Sequence, residues 1–327
     1  MIAITLACGR YDRTEALRTG AVRPDGVDLT YLSMPPEEVF YRMVRHREFE
    51  AAELSLSSYV MNLRGAADFV AIPVFPSRAF RHSGIYVGAD SGIDAPADLV
   101  GRVVGVPEYQ MTAAVFIRGI LAERHGVPVD GVTYSTGGLH QPGRVEKIPL
   151  PDAVTASVTP IGPGQTLAAM LAAGEIDALY SARTPLPYAT GDPRVRRLFA
   201  DPRRVEEEYF AATGVFPIMH LVALRRDVYE RWPWLARSLY TAFEQARAAA
   251  LDGIGETNAL RYSLPWLYAE VEHTRRLMGA DFWPYGLAAN DVVLRTFLRY
   301  AHEQGLVDTL LEPAGLFAPE TLDGYVV

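Results

Sequence analysis

The chain has 327 residues, 49% of them hydrophobic, enough to bury one large core or two smaller ones, and its 23 prolines and 27 glycines are dispersed, which excludes a disordered or low-complexity protein. A formal charge of −8 excludes the broad basic field that nucleic acid or an anionic membrane would need, although it leaves room for a local basic pocket. A single cysteine, Cys8, excludes an intrachain disulfide and a cysteine-based zinc cluster.

Residues Ile2–Ala7 read as a first buried strand. Although Leu6-Ala7-Cys8 resembles the end of a lipoprotein signal, no basic residue and no apolar region of signal length precede it, and no stretch reaches the roughly 18 apolar residues of a membrane span. A cytoplasmic protein is expected. Gly9 to Thr14 form a polar turn at the strand's carboxyl end, where open α/β sheets bind ligands, and this singles out Arg10 and Tyr11. Val27–Leu32 reads as a second strand. Pro35-Pro36 then opens a helix with Val39, Phe40, Met43 and Val44 on one face. Ala51–Leu56, Phe69–Val74 and Ser83–Gly88 read as further short buried strands.

From Val103–Val106 the βα rhythm restarts, with a helix carrying Val115, Phe116, Gly119 and Ile120 inward and Gly126 beyond its end. Residues 137–164 show no period and read as loop. Thr166–Ala173 is a short helix stopped by Gly174, and Ile176–Tyr180 a strand. After Val195–Phe199, Pro217–Leu224 reads as a strand or hinge, Pro233–Leu251 as an amphipathic helix, and an Asn290 cap as the start of a last helix ending at Gly305. This layout predicts an α/β fold of two lobes, each a mixed sheet flanked by helices: one discontinuous, from 1–97 and 190–327, the other from 98–189, with a ligand cleft between them. No GxGxxG follows the first strand, and HExxH, GxSxG and P-loop patterns are absent.

The chemistry-bearing residues collect in loops. Between two apolar strands, Phe75 to Ser83 carries Arg78, Arg81 and His82; arginine forks bind carboxylates bidentately, whereas a solvated surface loop is the plain alternative. Glu53, Ser55 and Ser57 alternate with apolar residues, as in a strand entering a cleft or in a half-exposed edge strand. Glu108, Tyr109 and Thr112 lie at a helix start that favours an anion, although Thr112 serves equally as an N-cap. Arg183 follows a strand and could complete an anion clamp. His82 and His220 sit in apolar strand context, where a satisfied core histidine is commoner than a catalyst, yet either could move a proton near neutral pH.

Taken together, the segments Glu53–Tyr59, Pro73–Ser83, Pro107–Ala113 and Thr213–His220 resemble the 4,5-dihydroxyphthalate decarboxylase family, in the family's order and over about residues 4–245. Ala211-Ala212 stand where the family pattern has basic residues, which leaves the substrate open. The resemblance implies a type II periplasmic-binding-protein-like fold and non-oxidative loss of one carboxylate from an ortho-dicarboxylated catechol, giving protocatechuate, without an organic cofactor. On that footing Arg78 and Arg81 hold a carboxylate, His82 donates a proton to the ring with His220 in reserve, and Glu53 or Glu108 accepts a phenolic proton. Arg10, Tyr11, Ser55, Ser57, Tyr109, Thr112 and Arg183 complete the expected binding set. No metal, nucleic acid or membrane partner is expected, and homo-oligomerisation stays open. A solute-binding protein for aromatic carboxylates, or another ring-modifying enzyme such as those of the menaquinone branch, would share this fold.

Overall fold

The structure, a computed structural model, describes residues 1–65, 67–155 and 157–322. In chain order its strands are β1 (Ile2–Cys8), β2 (Val27–Ser33), β3 (Ala51–Ser55), β4 (Phe69–Arg78), β5 (Ile85–Gly88), β6 (Val103–Val106), β7 (Thr133–Thr136), β8 (Val158–Pro160), β9 (Ala178–Tyr180), β10 (Val195–Arg197) and β11 (Ile218–Arg225). They form two sheets, β2-β1-β3-β11-β4 and β10-β5-β9-β6-β7-β8. Both are mixed. In the first, β1 runs parallel to β2 and β3 while β11 is antiparallel to β3; in the second, β6 runs parallel to β7 and β9 while β5 is antiparallel to β9 and β10.

The chain divides into two compact units, one of Met1–Arg78, His220–Val292 and Glu312–Val327, the other of Ala79–Met219 and Val293–Leu311. The expected boundaries at 97/98 and 189/190 therefore fall inside the second unit. Strand pairing is the reason: β5 and β10, assigned from sequence to the first lobe, are hydrogen-bonded to each other and, through β9, to the middle of the chain. The late segment Val293–Leu311 joins the second unit because Gln304 is bonded there, accepting from Arg118 Nε and donating to the Val115 carbonyl.

In the first unit the Trp234–Ile254 helix turns Leu235, Leu239, Ala242, Phe243 and Ala246 inward, as their spacing dictates, and packs on β4 and on the Asp12–Arg18 helix. Each large apolar side chain so buried contributes about 2 kcal/mol. In the second unit the Thr112–His125 helix is buried along most of its length and ends at Gly126 in the left-handed conformation, φ 66°. Gly119 on this helix is a close-approach position, since a Cβ there would lie 2.2 Å from the Tyr300 ring. The polar turn after β1 runs into the helix Asp12–Arg18, the stretch read as loop at 137–164 holds Asp152–Thr155 and β8, and stretches given no element from sequence hold the helices Pro202–Thr213 and Leu267–Met278; the strand expected to reach Leu56 stops at Ser55, where the helix Leu56–Asn62 begins. Among the described residues no helix is long and apolar enough to cross a membrane.

Candidate active site

Strand β3 is buried on both faces, and Glu53 at its centre has no solvent exposure. Such a carboxylate survives only with donors around it. Four converge on it. Oε1 accepts from the Tyr11 hydroxyl at 2.7 Å and lies 2.6 Å from His220 Nδ1; Oε2 accepts from the Gly9 N–H at 2.7 Å and from Cys8 Sγ at 3.4 Å. The fold brings them together because β1 and β11 flank β3: β1 delivers Cys8 and Gly9 at its carboxyl end, and the β3–β11 register sets His220 opposite Ser55, one diagonal step from Glu53. Gly9 is required by proximity, since a Cβ there would meet the Tyr11 ring at 2.8 Å.

Burial works against the Glu53 charge, but His220, Tyr11 and the Gly9 N–H outweigh it and hold the carboxyl below its ordinary range. Burial and then the Glu53 charge push the Tyr11 phenol well up, so that it remains a donor. The Cys8 thiol is raised in the same way, first by burial and then by Glu53, which makes it an inert thiol and not a nucleophile. An ionised carboxylate beside Nδ1 favours the tautomer that carries its proton there and leaves Nε2 outside this contact. Phe40 packs edge-on against the imidazole at 4.8 Å.

Of the expected site residues, Arg10, Tyr11, Glu53, Ser55, Ser57, Arg78 and His220 belong to the first unit. Ser55 caps the Leu56–Asn62 helix by accepting from the Ser58 N–H, and Ser57 is buried within that helix. Arg78 is buried and donates to the Pro284 carbonyl and to Asn290 Oδ1. Asn290, expected as a helix cap, uses its side chain instead to hold Arg78 and to donate to the Pro284 and Gly286 carbonyls. Sequence reasoning missed Arg13, whose guanidinium lies 4.4 Å over the Tyr11 ring and 4.1 Å over the Trp283 ring while Nε donates to the Pro76 carbonyl at 2.7 Å. Its only sequence signal is its place in the polar turn after β1.

Arg81, His82, Glu108, Tyr109, Thr112 and Arg183 belong to the second unit, so the two arginines of the expected carboxylate clamp are divided between units. Arg81 Nε donates to Met219 Sδ at 3.0 Å. His82 is 2% exposed, edge-on to Phe199 at 5.5 Å and Tyr209 at 5.2 Å. Burial and then the His125 charge push it down to about 4. Glu108 is buried but neutralised: Arg144 Nε donates to it at 2.7 Å and Lys147 Nζ at 2.6 Å. Both cations come from the stretch 137–164 that showed no period. Glu146 of the same stretch accepts from the Tyr109 and Gln110 N–H groups. Tyr109 lies under Arg118, whose guanidinium carbon is 3.7 Å from the ring centroid and whose Nη2 donates to the Tyr109 carbonyl at 2.7 Å. Thr112 is the first residue of its helix, with Met111 at the N-cap, and Arg183 is exposed. Among the described residues no three His, Cys, Asp or Glu side chains are grouped to hold a metal ion.

No protein-family model matches the chain. By structure it is similar to the periplasmic aliphatic sulphonate binding protein SsuA of Escherichia coli, with a TM-score of 0.55, 13% identity and 98% and 99% of the two chains covered. It is also similar to the Candida albicans CA3427 gene product, described as having the generic periplasmic binding protein fold, with a TM-score of 0.53, 11% identity and 99% and 96% covered. These likenesses establish a periplasmic-binding-protein-like fold. By sequence it is 43% identical over 210 residues to a 4,5-dihydroxyphthalate decarboxylase of Pseudomonas putida, covering 64% of this chain and 81% of that one. A second relative, the 4,5-dihydroxyphthalate decarboxylase of Comamonas testosteroni, is 42% identical over 327 residues, all of this chain and 99% of its own. With identity at that level sustained from end to end, the protein belongs to the 4,5-dihydroxyphthalate decarboxylase family.

Proposed function

We propose that this protein decarboxylates 4,5-dihydroxyphthalate to protocatechuate and carbon dioxide, and that Glu53 and His220 handle the proton. The observation that carries the reading is the buried Glu53 carboxylate, 2.6 Å from His220 Nδ1 and 2.7 Å from the Tyr11 hydroxyl, in a chain whose full-length relative is named for that activity.

Each carboxylate of the substrate has a hydroxyl para to it. Electron release from that hydroxyl lets the ring carbon bearing the carboxylate take a proton; the bond to the carboxylate then breaks, its electron pair restores aromaticity, and carbon dioxide leaves. The reaction consumes one proton and requires no electron acceptor. His220 gives that proton from Nε2 and regains one from solvent, while Glu53 fixes the ring through Nδ1 and balances the imidazolium charge. Tyr11 and the Gly9 N–H hold Glu53 ionised and in place.

This reading moves the proton donor from His82 to His220. A histidine pushed down to about 4 is uncharged at neutral pH and lacks the second, acidic proton of an imidazolium, and His82 is walled by Phe199 and Tyr209. Glu108 is bound by two cations, Arg144 and Lys147, and we assign it to ordering the 144–147 segment. Incubation of the purified protein with 4,5-dihydroxyphthalate, with carbon dioxide and protocatechuate followed together, tests the activity. Tight binding without turnover would favour a solute-binding protein instead.

A further inference from the structure

The first unit contains an open pocket of 390 Å³ lined by Arg10, Tyr11, Asp12, Glu15, Arg261 and Tyr262, a volume in the range of small-molecule sites. Its two arginines and two carboxylates balance by themselves, but each carboxylate is also paired with an arginine outside the lining. Asp12 is taken by Arg13 Nη1 at 2.8 Å, and Glu15 accepts a two-pronged bond from Arg18 at 2.8 and 2.5 Å, a hydrogen bond that holds its carboxyl below the usual range. Arg13 is itself occupied by two aromatic faces and the Pro76 carbonyl. Arg10 also lies 4.0 Å from Glu15, yet with Arg13 and Arg18 counted beside Arg10 and Arg261 the cations around the pocket outnumber its two carboxylates. In a chain of formal charge −8 this is a local basic concavity.

A second feature points the same way. Gly253 lies in the last turn of the Trp234–Ile254 helix, and Arg261 Nη1 is 2.7 Å from where a Cβ would stand. This sets the Arg261 head beside the end of the helix that packs on Asp12–Arg18. Tyr11 and Tyr262 add phenol rings to the wall, so the pocket joins paired cations to aromatic surface. Tyr11 also reaches Glu53, which places the pocket one hydrogen bond from the Glu53–His220 pair.

We propose that this pocket is the subsite for the substrate's carboxylates, with Arg10 and Arg261 as the residues that select an aromatic dicarboxylate. The inference rests on the decarboxylase reading and deepens it, replacing the expected Arg78 and Arg81 clamp; Arg78 Nη2 already donates to the Pro284 carbonyl and to Asn290 Oδ1. Both selecting arginines are exposed, so their substitution leaves folding intact.

The test measures phthalate binding by titration calorimetry, because phthalate carries both carboxylates but lacks the hydroxyls needed for turnover. Phthalate binds the unsubstituted protein, Arg10→Ala and Arg261→Ala each weaken it by about tenfold, Arg261→Lys by less, and rising salt weakens binding in the unsubstituted protein more than in the double alanine variant. The same two variants raise KM for 4,5-dihydroxyphthalate more than they lower kcat. Undetectable phthalate binding, or a double variant that binds and turns over like the unsubstituted protein, overturns the subsite, and the second result leaves the decarboxylase reading standing. Arginine-dependent phthalate binding with no turnover of 4,5-dihydroxyphthalate would keep the pocket as a carboxylate site and overturn the decarboxylase reading.

Discussion

Nδ1 of His220 lies 2.6 Å from Oε1 of Glu53, a contact between residues 167 positions apart in sequence and one diagonal step apart across the antiparallel β3–β11 pair. The same oxygen accepts from Tyr11, so the carboxylate ties three elements of the first unit together.

Glu53→Gln is expected to lower kcat by about a hundredfold or more, because a neutral amide neither fixes the His220 tautomer through an anion nor balances an imidazolium. KM for 4,5-dihydroxyphthalate should stay within several-fold. The variant also loses stability, since Gln presents an N–H₂ group to donors that now bond a carboxylate, at a cost of about 2 kcal/mol. Steady-state kinetics with a denaturant titration separate the two effects.

His82 gives a pH signature of stability. Its folded-state value of about 4 lies below the roughly 6.5 of an unfolded histidine, so the unfolded chain binds the extra proton between those values. Its contribution is full above about pH 6.5 and is lost as pH falls toward 4, by about 3 kcal/mol in all. His82→Leu, which fits the aromatic surroundings and removes the titration, should flatten the decline of Tm across that window by calorimetry. An unchanged slope would refute the assignment.

Gly119→Ala tests the packing of the second unit. At an exposed helix position the change would add stability, but here the new methyl group meets the Tyr300 ring at 2.2 Å. A loss of about 1–3 kcal/mol is expected, read from the shift in denaturation midpoint.

Glu108→Ala leaves Arg144 and Lys147 without the carboxylate that pairs them. Removing one partner of a buried ion pair costs about 3–5 kcal/mol, so Tm should fall well below that of the unsubstituted protein, and hydrogen exchange should rise in residues 144–148. Activity measured on whatever fraction remains folded should fall far less than in Glu53→Gln.

Much of the fold was legible because its signals are local. Ile2–Cys8, Val103–Val106 and the Trp234–Ile254 helix follow from apolar runs and helical spacing, and Gly126 and Gly174 end their helices in the left-handed conformation. The unit boundaries were not legible, because the pairing of β5 with β9 and β10 is a long-range choice. His82 and His220 present the same apolar context in sequence, and only tertiary neighbours separate them: Phe199 and Tyr209 around one, Glu53 beside the other. Glu53 and Tyr11 were each visible as polar residues near strand ends, whereas their hydrogen bond depends on which strands are adjacent. Arg144, Lys147, Arg261 and Tyr262 lie in segments without period, where sequence offers nothing to distinguish a ligand from a solvated side chain.

In the proposed mechanism His220, oriented by Glu53, delivers the proton that releases carbon dioxide. Its most direct test is the rate of protocatechuate formation from 4,5-dihydroxyphthalate by the unsubstituted protein and by His220→Gln under identical conditions. Turnover is expected of the former and a fall in kcat of about a hundredfold or more in the latter, near 3 kcal/mol of transition-state stabilisation, with KM within several-fold. Near-normal kcat in His220→Gln, with turnover lost instead in a His82 variant that remains folded, would contradict it.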